Sequence, residues 1–176
     1  MNDKPARYIV EIKNSEGKYS GKVYKNRFDT FWEIADLAIG KQATVKINNQ
    51  DLPLSDVIDR MLRYRLEDRE NLFKEDGQLT IGKHLFSAIF NSLPEVERKT
   101  LKREGNEIRI LSDDEYAARL PWTLLADLET FLSARNTTVV LSSRTDWDKC
   151  LLPPSPKIRS SPSFPLKVSF RRPPKI

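Results

Sequence analysis

Apolar and polar residues alternate with a period of two at the start of the chain, a pattern that predicts paired strands. In residues 7–13 (RYIVEIK), Tyr8, Val10 and Ile12 alternate along the strand, so their apolar side chains lie on one face. A turn cluster, NSEG, follows at 14–17, and residues 18–26 (KYSGKVYKN) alternate again. These segments predict an N-terminal β-hairpin. Residues 43–49 (ATVKINN) predict a third short strand that ends in turn residues.

The next stretch, residues 30–40 (TFWEIADLAIG), shows the apolar spacing of three to four residues that is typical of an amphipathic helix. Thr30 and Glu33 have the spacing of a capping box, in which each side chain satisfies a backbone N–H of the first turn. Gly40 supplies a C-terminal stop. The pattern therefore predicts a helix directly after the hairpin.

Two longer helices are predicted further along the chain. Residues 55–73 carry apolar side chains at helical spacing, and Gly77 is expected to end this helix. Residues 80–93 have the clearest apolar stripe, because isoleucine, leucine and phenylalanine recur every three or four positions. Ser92 and Glu95 then have the spacing of a further capping pair, which predicts another helix through the charged segment that follows.

The last part of the pattern returns to short elements. Residues 106–111 (NEIRIL) predict a strand, and Ser112 and Glu115 predict the cap of a short helix that runs through Arg119. Within residues 131–143, FLS and TTVVLSS predict two strands joined through ARN. The whole order predicts a mixed α/β domain with an N-terminal β-hairpin, amphipathic helices and short strands.

Charge separates the chain into two parts. Residues 151–176 hold six basic residues, no acid and seven of the eleven prolines. The remaining 24 basic and 25 acidic residues leave residues 1–150 at a formal charge of −1. We therefore predict an α/β domain over 1–150 and a basic, proline-rich tail or linker over 151–176, in which only residues 166–170 alternate as a single strand would.

Composition excludes several classes of protein. No apolar run approaches the roughly 18 residues of a membrane span, and the N-terminus lacks the apolar core of a signal peptide. The single Cys150 cannot form an internal disulfide, which fits a reducing cytoplasm. A lone cysteine and the lone His84 cannot supply the three or four ligands of a zinc site. We expect no metal and no cofactor.

Two motifs point to a family. LTIGKHLFSAIF combines a glycine with an apolar helical stripe, and LPWTLLADLETFL places Leu-Pro-Trp before two leucines and then Phe-Leu. In this order they resemble the N-terminal half of a CHAT domain, a caspase-like family found in bacteria as cysteine peptidases or degraded relatives. The residues that carry the resemblance are Gly82, Leu85, Phe86, Phe90, Leu120, Pro121, Trp122, Leu124, Leu125, Phe131 and Leu132.

The resemblance covers residues 80–150 well and 7–170 loosely. The usual Glu of the Leu-Pro-Trp motif is Thr123 here, and the usual Arg after the following strand is Leu141, so one charge-assisted contact is missing. We expect Pro121 and Trp122 to be structural, because Pro121 fixes the turn that directs Trp122 into the core.

The resemblance also implies where the peptidase chemistry would lie. The family uses a His followed by Gly and an accessible Cys, each at the end of a core strand beyond the part that this chain resembles. His84 lies on a predicted helix without a following glycine, and Cys150 lies at the entry to the proline-rich tail. Neither context matches the positions of the family's catalytic residues, so we expect no catalytic residue in this chain.

Two functions are therefore expected. The first is a non-catalytic scaffold or binding half of a CHAT-like protein in a bacterial defence, stress or cell-death system, with the remaining caspase-like half or a repeat-containing sensor as partner. The alternative is a small interaction module whose basic tail binds nucleic acid or an acidic protein. Its tail contacts would be Arg171, Arg172 and Lys175. Neither function involves a membrane.

Overall fold

The computed structural model describes residues 5–63 and 74–142. They form a mixed α/β fold of seven strands and four helices, as the sequence predicts. The strands are β1 (Arg7–Ser15), β2 (Lys18–Lys25), β3 (Arg27–Ile34), β4 (Thr44–Ile47), β5 (Gln50–Pro53), β6 (Glu107–Leu111) and β7 (Thr138–Ser142). The helices are α1 (Leu54–Arg63), α2 (Glu75–Phe90), α3 (Glu95–Leu101) and α4 (Glu115–Arg119).

Five of the strands form one mixed sheet in the order β3-β2-β1-β6-β7, and β4 and β5 pair separately. β1 is antiparallel to β2, which confirms the predicted hairpin, and β2 is antiparallel to β3. β6 and β7 join on the other side of β1 as parallel strands. The predicted strands over 43–49 and 106–111 are both confirmed, whereas the pairing of β4 with β5 was not predicted.

One main core joins the sheet to the helices. Alternate residues of β1, beginning at Tyr8, point into this core, and the buried residues of all four helices belong to the same cluster. On the opposite face of the sheet, Ile9, Tyr24 and Leu111 form a smaller buried cluster. The strands of the sheet are therefore apolar on both faces near its centre, as is usual when parallel pairing occurs inside a sheet.

The helix predicted over residues 30–40 is wrong. Arg27–Ile34 is the strand β3, and the predicted Thr30–Glu33 capping pair does not form at a helix start. Trp32 and Ile34 lie opposite Val23 and Gly21 of β2; Ile34 belongs to the main core, and Trp32 packs against it. The apolar spacing of these residues fits the period of a helix as well as that of a strand. Pairing with β2 favours the strand, because aromatic and β-branched side chains pack well on a pleated surface.

Two helix boundaries also differ from the prediction. Gly77 does not end a helix, because it is buried inside α2, which begins at Glu75 rather than near residue 80. A glycine inside a helix costs roughly 1 kcal/mol relative to alanine, and burial of the apolar stripe of α2 outweighs it. The helix predicted over 55–73 is confirmed as far as Arg63, and residues 64–73 lie outside the described residues.

The predicted side-chain caps of α3 and α4 are wrong in detail. Ser92 does not cap α3; its hydroxyl donates to the carbonyl of Ile89 at 3.4 Å, and Pro94 precedes the helix. Asp114 caps α4 instead of Ser112, since its carboxylate accepts a hydrogen bond from the backbone N–H of Ala117 at 2.8 Å. Both helices are present where the sequence predicts them, but each begins after a different residue from the predicted cap: Pro94 for α3 and Asp114 for α4.

The two strands predicted within 131–143 are half right. Thr138–Ser142 is the strand β7, but it pairs in parallel with β6 and not with a neighbouring hairpin arm. Leu132–Arg135 is a 3-10 turn, which ends at Asn136 in a left-handed conformation with φ of 56°. Asparagine tolerates that conformation better than most residues, so it can redirect the chain into β7.

Asn106 is a buried side chain that ties three elements together. Its Oδ1 accepts a hydrogen bond from the N–H of Ala6 at 2.9 Å, just before β1. Its Nδ2 donates to the carbonyls of Thr100, Leu101 and Arg103, at the end of α3. The amide thus satisfies backbone groups that would otherwise be buried without partners. The position of α3 is fixed relative to β1 and β6.

Candidate functional site

The residues that carry the family resemblance lie together. The part of the chain from Leu120 to Leu132 crosses α2, and the backbone N–H of Ala126 donates to the carbonyl of Gly82 at 3.3 Å. The backbone N–H of Leu132 donates to the carbonyl of Leu125 at 2.8 Å, which folds the segment back on itself. The buried members are Leu85, Phe86, Phe90, Leu120, Trp122, Leu125 and Leu132, whereas Pro121, Leu124 and Phe131 are partly exposed.

Gly82 lies at the point of closest approach between α2 and this segment. A Cβ atom built on Gly82 would lie 1.9 Å from the carbonyl oxygen of Leu124 and 3.0 Å from Cβ of Ala126. No side chain fits in that space, so the glycine is required for the backbone of the segment to rest on the helix. The motif's glycine is therefore explained by packing.

Trp122 is a core residue. Its side chain is 3% exposed, and its indole N–H donates to the carbonyl of Ala117 at 2.9 Å. Pro121 precedes the 3-10 turn Trp122–Leu124, in agreement with the predicted turn at this position. The ring is buried with its one polar group satisfied, so it is not available to contact a substrate.

The catalytic chemistry of the family has no counterpart in the described part of the chain. Nε2 of His84 lies 2.7 Å from the carbonyl oxygen of Ala38, which can only accept, so this nitrogen donates to the backbone. Cys150 lies outside the described residues. Within residues 5–63 and 74–142 there is no group of histidine, cysteine and acidic side chains that could hold a metal ion. None of the described helices is long and apolar enough to cross a membrane.

Asp114 is a carboxylate with several hydrogen bonds near the ends of β1 and β6. It accepts from the amide of Asn14 at 2.7 Å and from the hydroxyl of Tyr19 at 2.9 Å, in addition to the Ala117 N–H. Burial alone would raise the pKa of Asp114, but these hydrogen bonds outweigh it and hold the pKa below its usual value. Because every donor belongs to the chain itself, the carboxylate serves to hold α4 against the sheet.

Among the described residues, the outer edge of β7 is an open edge of the sheet. None of the described strands pairs with it, and the strand (TVVLS) contains no charged residue and no proline. Thr138 donates its N–H to the carbonyl of Asn106, and Ser142 accepts from the N–H of Ser112, so these two residues face β6. Because this direction alternates along a strand, the N–H and C=O groups of Val139 and Leu141 point away from the sheet.

Most edge strands are protected by charges, proline or bulges against pairing with other chains. β7 has none of these, and the side chain of Leu141 is 45% exposed. Thr123, the other position where the chain departs from the family pattern, is also exposed. The tail residues Arg171, Arg172 and Lys175, and the strand predicted at 166–170, lie outside the described residues.

A second surface lies between α2, α3 and the turn around Asp127. Sequence reasoning missed it, because its residues come from three separate segments. Asp127 is buried and accepts hydrogen bonds from the backbone N–H groups of Glu129 and Thr130 and from Arg135. Burial alone would raise the pKa of Asp127, but these contacts outweigh it and keep the pKa below its usual value.

Comparison of the chain with protein-family models, with curated proteins and with solved structures gave no match.

Proposed function

We propose that this chain is the N-terminal part of a CHAT-like, caspase-related protein and that it acts as a non-catalytic half which binds a protein partner. The partner is the remaining caspase-like half or a repeat-containing sensor. The setting is the cytoplasm of a bacterium, in a defence, stress or cell-death system. The family assignment rests on the resemblance of the two motifs described above.

The observation that carries this proposal is the open edge of β7. Val139 and Leu141 present backbone donors and acceptors outward from a parallel part of the sheet, and the strand has no charge to oppose a further strand. An extended segment of a partner can add to such an edge through main-chain hydrogen bonds. The sheet would then continue into the partner, and this pairing would join the two halves.

Two further observations support the proposal. The family-signature residues pack against one another around Gly82 and Trp122, so packing within this fold accounts for their spacing. The only histidine of the chain donates to the Ala38 carbonyl and lies on α2 and not at a strand end. A binding role needs no catalytic pair.

The test combines the purified chain with a polypeptide from the same genome that carries a strand-end His-Gly and a strand-end Cys. We expect the two to form a stable complex, measured by size-exclusion chromatography with light scattering and by titration calorimetry. We also expect hydrolysis of fluorescent casein by the complex and none by this chain alone.

Leu141→Pro should weaken the complex by about tenfold or more, because one outward N–H is lost and the ring blocks the approaching strand. Leu141→Ala is the matched control: it keeps the N–H and should bind almost as the wild type does. Equal affinity of both variants would exclude pairing at β7. Casein hydrolysis by this chain alone that Cys150→Ala abolishes would contradict the non-catalytic role.

A second candidate function is favoured by the charge of residues 151–176, which hold six basic residues and no acid. In this case the tail binds nucleic acid or an acidic protein. Deletion of 151–176 should then remove all affinity for single-stranded and duplex nucleic acid, and the affinity of the full chain should fall steeply with salt. Absence of binding at low salt would exclude nucleic acid as the ligand.

A further inference from the structure

The surface between α2, α3 and the turn at 126–128 is a groove of about 470 Å³. Phe86 of α2 lies on its floor, where its ring packs against Phe90 with the ring centroids 5.0 Å apart. Leu128 lies at the rim. A volume of this size is in the range of binding sites, which commonly join an apolar floor to a few polar groups.

The charges around the groove do not balance. Its lining includes four cations, Lys83, Arg98, Lys99 and Lys102, and two anions, Glu95 and Asp127. Both anions already have partners inside the chain: Glu95 pairs with Lys99 at 2.7 Å, and Asp127 pairs with Arg135 at 2.6 Å and, more distantly, with Lys102 at 3.9 Å. The groove is therefore cationic, with its anions neutralised from within.

Lys83 and Arg98 are the two cations of the lining that have no salt bridge to a described residue, although Arg98, after Lys99, also helps to lower the pKa of Glu95. Among the described residues neither forms a salt bridge, and Nε of Arg98 is buried without a hydrogen-bond partner. The guanidinium of Arg98 contributes to the lining, and a carboxylate placed in the groove could form a charge-assisted pair with it. Arg98 and Lys102 are four residues apart, so they lie on the same side of α3 and its C-terminal end.

Leu128 is held outward by its neighbours. Asp127 accepts from the N–H groups of Glu129 and Thr130 at 2.9 and 3.0 Å, and its own N–H donates to the carbonyl of Thr130 at 3.1 Å. This closed turn leaves the Leu128 side chain 78% exposed. Because this large apolar side chain lies at the rim of a cationic groove, a ligand that carries an apolar group beside its acids would cover it.

We propose that this groove binds an acidic peptide segment of a partner protein. One apolar side chain of the peptide packs between Phe86 and Leu128, and flanking carboxylates lie against Lys83 on one side and Arg98 on the other. The basic segment 151–176 carries the same sign of charge as the groove, so it is not the complementary occupant. The groove is separate from the edge of β7, and its occupation does not depend on the proposed function.

The experiment uses the full chain and a short fluorescein-labelled peptide in which a central leucine is flanked by aspartates and glutamates. Fluorescence anisotropy at low and at physiological salt measures its affinity. We expect saturable binding that weakens with salt. A peptide with serine in place of the central leucine and one with lysines in place of the acids should each bind at least about tenfold more weakly.

Two variants inside the groove and two matched variants outside it locate the site. Lys83→Glu and Leu128→Asp should each weaken binding about tenfold or more, because each introduces a charge that repels the peptide. Lys46→Glu, on the exposed face of β4, should leave the affinity within about twofold, since Lys46 does not line the groove. Leu62→Asp is the control for Leu128→Asp, because Leu62 on α1 is also exposed, at 60%, and α1 contributes no residue to the lining.

Circular dichroism and a thermal melt of each variant show whether the fold is kept. The proposal is overturned if the wild type does not bind the acidic peptide at low salt, or if the groove and control variants have the same effect. It is also overturned if single-stranded DNA displaces the peptide and loses affinity with the same groove variants, since the groove would then be a nucleic-acid site. Because Leu141→Pro should not alter peptide binding, failure here leaves the test at β7 unaffected.

Discussion

Gly82→Ala is expected to destabilise the fold by about 3 kcal/mol or more, at the upper end of the cost of overpacking. The added Cβ would lie 1.9 Å from the carbonyl oxygen of Leu124, which is a backbone atom and cannot rotate away as a side chain can. Either the segment from Leu124 to Ala126 moves off α2, or the helix shifts. Urea denaturation followed by far-ultraviolet circular dichroism measures the loss.

Gly40→Ala is the matched control for this prediction. A Cβ on Gly40 would meet its nearest atom, in the ring of Tyr19, at 3.4 Å, which is ordinary van der Waals contact. Its backbone is not in the left-handed region, so alanine is expected to change stability by less than about 1 kcal/mol in either direction. If Gly82→Ala and Gly40→Ala have equal stability, the close contact between α2 and the Leu-Pro-Trp segment is not as described.

Trp122→Ala should cost about 3–5 kcal/mol, the range found when a large aromatic side chain is removed from a core. The indole is 3% exposed and is packed in the main core, so its removal leaves a cavity and takes away one donor to the carbonyl of Ala117. Circular dichroism during urea denaturation is the suitable measurement, because the chain has three tryptophans and their fluorescence would overlap.

Trp122→Phe separates the contribution of the buried apolar ring from that of the indole hydrogen bond. Phenylalanine keeps most of the apolar volume but cannot donate to the carbonyl of Ala117, which still accepts from the N–H of Leu120 at 3.3 Å. We expect a loss of about 1–2 kcal/mol, clearly smaller than that of Trp122→Ala. A Trp122→Ala variant as stable as the wild type would show that the ring is not a core residue and would reopen a role for it in binding.

The sequence is a good guide where one period is unambiguous. The alternation over residues 7–13 and 18–26 predicts β1 and β2, and the stripe over 80–93 predicts most of α2, because local pattern and final packing agree there. The glycine and tryptophan of the two motifs also have physical reasons that a sequence can suggest. Their close contact, which explains both, is visible only in the fold.

Two of the wrong predictions share one cause. Residues 30–40 and 131–143 contain apolar spacings that fit a helix and a strand equally, and partners distant in sequence decide between them. β2 takes Trp32 and Ile34 into the sheet, and β6 selects Thr138–Ser142 as a parallel neighbour. No local signal contains the identity of those partners. Capping pairs such as Thr30 and Glu33 have the right spacing by chance.

The candidate binding surfaces were less predictable than the fold. The outward direction of Val139 and Leu141 depends on which of the alternate residues bond to β6, and that register is a tertiary property. The groove joins Lys83, Arg98 and Leu128 from three segments. In the sequence, the charges of α3 have the appearance of an ordinary solvated helix face. Only the structure shows that its carboxylate Glu95 is already paired.

The central position of β1 has a consequence for synthesis of the protein. β1 leaves the ribosome before the other described strands and can pair at once with β2, but its parallel partner β6 begins about 100 residues later, as Arg7 aligns with Glu107. At roughly 5–20 residues per second the wait is about 5–20 s, and closing so long a loop also slows folding after release. During that time the edge of β1 that later pairs with β6 has no partner strand, so an apolar strand is exposed on the nascent chain. We therefore expect the yield of soluble protein to depend on translation rate and on chaperones that shield this edge.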